Sequence, residues 1–231
     1  MYLDQLPDLS RARLVRARAR GVAIRDGERA VAVAFVADGT LLPAETLVRF
    51  DVAHGEDAAR RLDEAFASTG TRGIWFYGGD AITRRAAAEL ELDVRPSGAV
   101  FVHRMDALRR ERVVFRPPAR RDREIVAEIE RERAAAFRAP QTEVAEMRGE
   151  AVGVVIREPL DQTWTEVCAT VHPEHRGNGY GASLLAALAD RVESTGRRVC
   201  AATETAAGRE RAALETAGFR LSDYYFTATK R

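Results

Sequence analysis

Lysine is almost missing from this 231-residue chain: of its 36 basic residues only Lys230 is a lysine, and the rest are arginines. Set against 35 acidic residues, they leave a net charge of +1, so no global basic field points to a nucleic-acid partner. The arginine and alanine excess reads as a compositional bias of the coding sequence. Its one local concentration, Arg11, Arg13, Arg16, Arg18 and Arg20 within Leu9–Arg20, reads as the solvated face of an amphipathic helix. Cysteine is also scarce. Cys168 and Cys200 each lie in an apolar run among small residues, the setting of core side chains rather than of a nucleophile or a disulfide. The four histidines, at 54, 103, 172 and 175, fall in no Cys-x-x-Cys or His-Glu-x-x-His spacing, so no metal is expected. No apolar run approaches the ~20 residues of a membrane span, and the start of the chain has no export-signal pattern. A cytoplasmic protein without membrane contact is the expectation.

Glycine, by contrast, is concentrated where it can do chemistry. Between His172 and Ala182 the chain reads His-Pro-Glu-His-Arg-Gly-Asn-Gly-Tyr-Gly-Ala. The preceding Val167–Val171 is short and apolar enough for a buried strand, which Pro173 stops. After Gly181, Leu184, Leu185, Leu188 and Val192 recur at helical spacing up to Gly196. Glycines at 177, 179 and 181 let the backbone bend and approach a ligand closely. Several N–H groups at the new helix start then converge on an anion such as a pyrophosphate, with Arg176 adding positive charge. A Walker loop would need Gly-Lys-Ser/Thr, and a dinucleotide fingerprint Gly-x-Gly-x-x-Gly near the start of a βαβ unit; neither is present.

Val171-x-Pro-x-x-Arg176-Gly-x-Gly-x-Gly181 instead resembles the acetyl-CoA pyrophosphate loop of the GNAT superfamily of N-acetyltransferases. The surrounding pattern agrees over residues 112 to 231. A strand at Arg112–Arg116 is followed by a helix over Ala119–Phe137 and a hairpin of Glu143–Met147 with Ala151–Arg157. Then come the strand from Trp164, the loop and its helix, a strand over Arg198–Thr203, a helix over Gly208–Ala217 and a last strand around Tyr224–Thr229. The resemblance implies an α/β fold with a mixed twisted sheet whose central strands splay apart, flanked by helices, the thioester lying in the gap. It implies acetyl-CoA as co-substrate and a primary amine of a small molecule or peptide as acceptor, in a monomer or homodimer. It assigns cofactor contacts to Ala169, Thr170, Val171, Arg176, Gly177, Asn178, Gly179, Tyr180, Gly181 and Ala182, with a backbone N–H near Val171 polarising the acyl carbonyl.

The proton-transfer groups are less determined. Many members carry an asparagine and a tyrosine at positions that here hold Ala207 and Leu214, neither of which can donate a proton. The candidate donor is then Tyr224 or water. Candidate bases are Glu166, on the strand leading to the loop, and Glu204, at the end of the next strand; the hairpin glutamates Glu143 and Glu146 are the alternatives. The missing polar pair keeps open a second reading, a non-catalytic acyl-CoA-binding or interaction protein on the same fold.

The first half repeats the second in weakened form. Val22–Val31 parallels Val144–Val152, Ser68-Thr69-Gly70 parallels Ser194-Thr195-Gly196, and Ile74–Tyr77 takes the place of Val199–Ala202. A single long period implies duplication and fusion rather than a solenoid. At the position of the glycine loop the first half has Ala53-His54-Gly55-Glu56-Asp57, whose carboxylates would repel a pyrophosphate. Residues 1–110 are therefore read as a degenerate acetyltransferase-like domain and residues 111–231 as the catalytic one.

Overall fold

A computed structural model describes residues 20–36, 46–104, 112–132, 142–204 and 208–230. The predicted helix over Leu9–Arg20 lies outside these residues except for Arg20, which opens a strand instead. The chain forms two compact units, Met1–Ala99 with Asp223–Arg231, and Val100–Ser222.

In the first unit, β1 (Arg20–Asp26) and β2 (Arg29–Val36) make an antiparallel hairpin, and β3 (Thr46–Val52) pairs antiparallel with β2. Helix α1 (Ala58–Thr69) then crosses to β4 (Gly73–Tyr77), parallel to β3. Asp57 begins α1 as its N-cap, its carboxylate accepting from the Arg60 N–H at 3.1 Å. Ala59, Leu62, Ala65 and Phe66 recur at helical spacing and are buried against Ile24, Leu47, Phe50, Ile74 and Phe76. Helix α2 (Ala81–Glu89) follows β4, and β5 (Asp93–His103) begins in this unit. The closing strand comes from the other end of the chain: within β11 (Phe219–Thr229), Tyr225 to Thr229 pair antiparallel with Tyr77 to Gly73. That pairing groups Asp223–Arg231 with the first half of the sequence.

The second unit starts inside β5 and is built from β6 (Val113–Arg116), a short 3-10 turn, α3 (Arg123–Glu132), the hairpin β7 (Thr142–Met147) and β8 (Glu150–Pro159), and β9 (Trp164–Val171). Helix α4 (Tyr180–Glu193), β10 (Arg198–Glu204) and α5 (Gly208–Thr216) complete it. Its sheet runs β10-β9-β8-β7-β6, antiparallel except for the β9–β10 pair. The hairpin turn is Arg148-Gly149, both at positive φ (54° and 85°), the type I′ geometry that matches strand twist. The periodic residues Leu184, Leu185, Leu188 and Val192 are all buried, each removing apolar surface worth about 1.5–3 kcal/mol. Predicted strand bounds in this unit move by one or two residues, with larger shifts in two places: α3 begins four residues late after the 3-10 turn, with 133–137 of the predicted helix outside the described residues, and the last strand starts at Phe219 rather than near Tyr224.

The two units repeat one order of elements: hairpin, third antiparallel strand, helix, parallel strand, helix. The match extends to a single hydrogen bond. Ala53 N–H donates to Val31 O at 2.8 Å just after β3, and His172 N–H donates to Val152 O at 2.9 Å just after β9. Among the described residues no helix is long and apolar enough to cross a membrane.

Candidate acyl-CoA site

The central strands of the second unit separate. β9 and β10 are paired only at Trp164–Arg198, Thr165–Val199 and Glu166–Cys200, although β9 continues to Val171 and β10 to Glu204. Beyond Glu166 an opening therefore lies between two strand edges. Its chemistry follows from strand alternation. Because the His172 N–H is bonded to β8 and the Thr163 carbonyl accepts from Arg198 of β10, the odd-numbered residues of β9 turn their amides toward the β10 edge. The N–H groups of Ala169 and Val171 thus face the opening, while the Thr170 amide belongs to the β8 ladder. The side chain of Val171 lies toward α4, where a Cβ placed on Gly181 would meet Val171 Cγ2 at 3.7 Å. Glu166, Cys168 and Thr170 therefore sit on the opposite face.

One residue of this arrangement was not anticipated. Gly153 on β8 is paired with Val171, and a Cβ there would collide with the Thr170 carbonyl oxygen and sit 3.1 Å from Val171 Cα. The available signal was a lone glycine inside an apolar strand, which marks a close backbone approach.

The loop after β9 is a 3-10 turn, Pro173–His175, followed by the glycines. Arg176 Nε donates to the Val171 carbonyl at 3.1 Å, tying the loop to the strand end, and Asn178 Nδ2 donates to His175 O at 3.3 Å. Gly177 and Gly179 adopt φ of 86° and 76°, a region costly for any residue with a Cβ. Gly179 is the N-cap of α4 and has no side chain with which to cap it, so among the described residues the first-turn N–H groups of this helix are open to an anion. The third glycine behaves differently from expectation: Gly181 is a helical residue inside α4, in ordinary contact distance of Val171 and Ala213 (3.7 and 3.8 Å to a built Cβ), and bends nothing. Tyr180 and Ala182 begin the same helix, with Ala182 buried.

The equivalent place in the first unit is closed by carboxylates. Asp57 caps α1, and Glu56 accepts two hydrogen bonds from Arg61, at 3.1 and 2.8 Å. The Arg61 side chain is 4 % exposed and also bonds Glu64 and Asp26, both at 2.8–2.9 Å. Glu64 first, then Glu56 and Asp26, raise the guanidinium pKa above its ordinary value and keep it charged. A helix start that holds its own anions has no charge left for a phosphate.

Of the candidate bases, Glu166 is half-buried on β9, across from Glu158 and beside Cys200. Glu204 is the last residue of β10, and its side chain lies outside the described residues. The hairpin glutamates are engaged by guanidinium groups: Glu143 by Arg157 (2.9 Å) and Arg191 (3.1 Å), Glu146 by Arg116 (2.7 Å) and Arg121 (2.9 Å). Tyr224 belongs to the first unit, where its carbonyl accepts from Gly78 N–H at 2.8 Å. Leu214 is buried in α5, and Ala207 lies outside the described residues.

Residues 105–219 match the profile described as the acetyltransferase (GNAT) family. No curated protein matches the chain. Among solved structures, an acetyltransferase from the GNAT family of Colwellia psychrerythraea superposes with a TM-score of 0.73 at 12% identity, covering 100% of this chain and 93% of that one. A GCN5-related N-acetyltransferase from Kribbella flavida gives 0.63 at 16%, covering 96% and 95%. A tandem GNAT protein from the clavulanic acid biosynthesis pathway gives 0.53 at 18%, covering 90% and 81%. At these identities the likeness is one of fold.

Proposed function

We propose that this chain, whose residues 105–219 form a GNAT acetyltransferase domain, moves an acetyl group from acetyl-CoA to a primary amine of a small molecule or peptide. The observation that carries the reading is the uncapped, glycine-started helix α4 at the foot of two separating strands. Bound acetyl-CoA supplies the acyl group as an activated thioester. The open N–H groups at Gly179–Ala182 and the charge of Arg176 hold the pyrophosphate, and Gly177 gives the backbone room to approach it. The Val171 N–H donates to the acyl oxygen, where negative charge grows during attack. Glu166 or Glu204 takes the proton from the substrate ammonium, directly or through water, leaving a neutral nucleophile. With leucine and alanine at the positions where relatives carry polar groups, the thiolate receives its proton from water.

In this reading residues 111–231 are the catalytic half and residues 1–110 a degenerate copy that does not bind the cofactor. The chain works as a soluble enzyme of the cytoplasm, as a monomer or homodimer, and needs neither metal nor nucleic acid. Thiol release from acetyl-CoA over a panel of primary amines, run beside calorimetry with CoA, tests it. Amine-dependent release with one CoA site is the expected result. CoA binding with no release across the panel would favour a non-catalytic acyl-CoA-binding module, and absence of CoA binding would overturn both.

A further inference from the structure

Arg176 is bonded to the strand that leads into its own loop. Its Nε donates to the Val171 carbonyl at 3.1 Å, a contact that closes residues 171–176 into a ring. Backbone bonds hold that ring in shape: His172 N–H to Val152 O at 2.9 Å, His175 N–H to His172 O at 2.9 Å, and Arg176 N–H to Pro173 O at 3.2 Å. In a strand the N–H and C=O of one residue leave on the same edge, so the Val171 carbonyl faces the opening together with the Val171 N–H. The β9–β10 ladder has already ended at Glu166. Where a β10 residue would have bonded the Val171 carbonyl, the guanidinium does so instead.

We propose that Arg176 is a positioning residue as well as a phosphate ligand: it carries the seating of the pyrophosphate to the Val171 N–H, so that the anion cradle and the acyl site work as one unit. The proposal rests on the acetyl-CoA reading above. On its β8 side, β9 is fixed at this point by the close approach of Gly153. On the opening side, among the described residues, the Val171 carbonyl is held by Arg176. Holding that carbonyl sets the ψ of Val171, and with it the direction of the Val171 N–H relative to the loop.

A guanidinium suits this task because its donors lie in one rigid plane. The bond to Val171 uses Nε, and the terminal nitrogens of the same plane are the ones that meet an anion. An anion seated against them fixes the plane, and the plane fixes the carbonyl. Lysine has the charge but a single nitrogen on a flexible stem, so it cannot serve both ends at a set spacing. Binding energy from the non-reacting nucleotide end of the donor is thereby used at the reacting carbonyl, which raises kcat rather than only lowering KM. The effect is large enough to measure, since a misplacement of roughly 1 Å costs about 10²-fold in rate.

The test uses the full chain labelled with nitrogen-15 and, as probe, phospho-ADP, the nucleotide half of CoA, which carries the pyrophosphate but no acyl arm. At saturation the amide resonances of Gly179–Ala182 should shift, and that of Val171 should shift with them. In Arg176→Lys at saturation the Val171 response should be lost while that of the helix start remains. Kinetics supply the second readout, acetyl-CoA being compared with S-acetylpantetheine, the same thioester without its nucleotide. Wild-type kcat should be higher for acetyl-CoA by ~10-fold or more, and Arg176→Lys should bring the two values within about threefold of each other. The coupling is overturned if Val171 does not respond while Gly179–Ala182 do, or if the wild type turns over both donors with equal kcat. It is also overturned if Arg176→Lys lowers kcat for both donors by the same factor, the mark of a structural role, or raises only the KM for acetyl-CoA, the mark of a charge contact alone. No response at Gly179–Ala182 together with no thiol release from either donor overturns the acetyl-CoA reading itself, and the coupling with it.

Discussion

Gly153 faces Val171 across β8 and β9 with no room for a side chain, so the course of β9 beside the opening depends on a hydrogen atom one strand away. Gly153→Ala places a methyl group against the Thr170 carbonyl. The collision is with backbone, which cannot swing aside, and β9 must shift. The cost expected for such overpacking is about 1–3 kcal/mol. Because the shift reaches Val171, turnover should fall more than CoA affinity does. A variant with wild-type melting temperature and wild-type turnover would show that β9 has slack there.

The glycines of the cradle separate by backbone angle. Gly179→Ala forces a Cβ into a φ of 76° and should cost about 1–2 kcal/mol of stability together with at least a tenfold loss of CoA affinity. Gly181→Ala carries no such strain and places its methyl in ordinary contact range of Val171 and Ala213; helix propensity alone favours it by up to about 1 kcal/mol. Paired melting curves and CoA titrations of the two variants check this. An equal loss of stability in both would contradict the assignment of Gly181 to the helix proper.

How much of this was legible beforehand depends on the range of the interaction. The buried stripe of α4, the I′ turn at Arg148-Gly149 and the acid-capped start of α1 are local patterns, and each is readable from a few neighbouring residues. The identity of the strand next to β4 was not. Tyr225–Thr229 pairs with Tyr77–Gly73 from the opposite end of the chain, and no local pattern encodes that choice. The same holds for His103 at the end of β5 and Glu193 on α4, which meet at 2.9 Å although 90 residues separate them in sequence. Gly181 departs from the sequence expectation for the converse reason: three alternating glycines look equivalent in a string, yet the helix begins between the second and the third.

The pairing of β11 with β4 predicts that a chain ending after Ser222 loses more than a tail. It removes the strand that covers β4 and the stacking of Phe226 on Phe76, whose centroids lie 5.7 Å apart. Thermal unfolding should lose amplitude or drop by more than ten degrees, whereas removal of Arg231 alone should change little. An unaltered melting curve for the shorter chain would show that the first unit does not need its last strand.

The first unit is expected not to bind CoA, since Asp57 and the Glu56–Arg61 pair fill the place where a phosphate would sit. Calorimetry should give one site per chain. Arg176→Gln should abolish most of the measurable affinity, and Arg61→Gln should reduce stability while leaving CoA affinity within about threefold, because its carboxylate partners sit around a site the cofactor does not visit. Two comparable CoA sites in the wild type would refute the reading of residues 1–110 as a non-binding copy.

An acid-sensitive clamp joins β6 to the turn before α3. Asp122 is buried and accepts from both terminal nitrogens of Arg116, at 2.6 and 2.8 Å, and from the Ala119 N–H at 2.6 Å. The Arg116 hydrogen bonds, aided by that backbone N–H, hold the carboxyl at about 2, below its ordinary value of 3.8, against the opposing effect of burial. A carboxyl with a depressed folded-state pKa binds fewer protons folded than unfolded, so its contribution to stability is complete above about pH 4 and fades as pH falls toward 2. Asp122→Asn should cost about 1.5–3 kcal/mol at neutral pH and flatten the stability profile between pH 4 and 2. An unchanged slope in that window would place the acid sensitivity elsewhere.

The proton acceptor gives the sharpest kinetic test. Glu166 stands on the face of β9 away from α4, and Glu204 ends the facing strand. Glutamine at either position preserves size and removes the base, so the variant that carries the true base should lose ~10²-fold or more in kcat at neutral pH. On the proposed reading, in which backbone N–H groups and Arg176 hold the pyrophosphate, CoA affinity should stay within a few-fold. Raising the pH should recover part of the lost rate by supplying amine already deprotonated, a rescue that a carboxylate with only a structural role would not give. Glu143→Gln and Glu146→Gln serve as the contrast: their carboxylates are tied to paired arginines, so these variants should lose stability before they lose the chemical step. If Glu166→Gln, Glu204→Gln and the double variant all turn over normally across neutral pH, neither glutamate is the base and the proton passes directly to solvent.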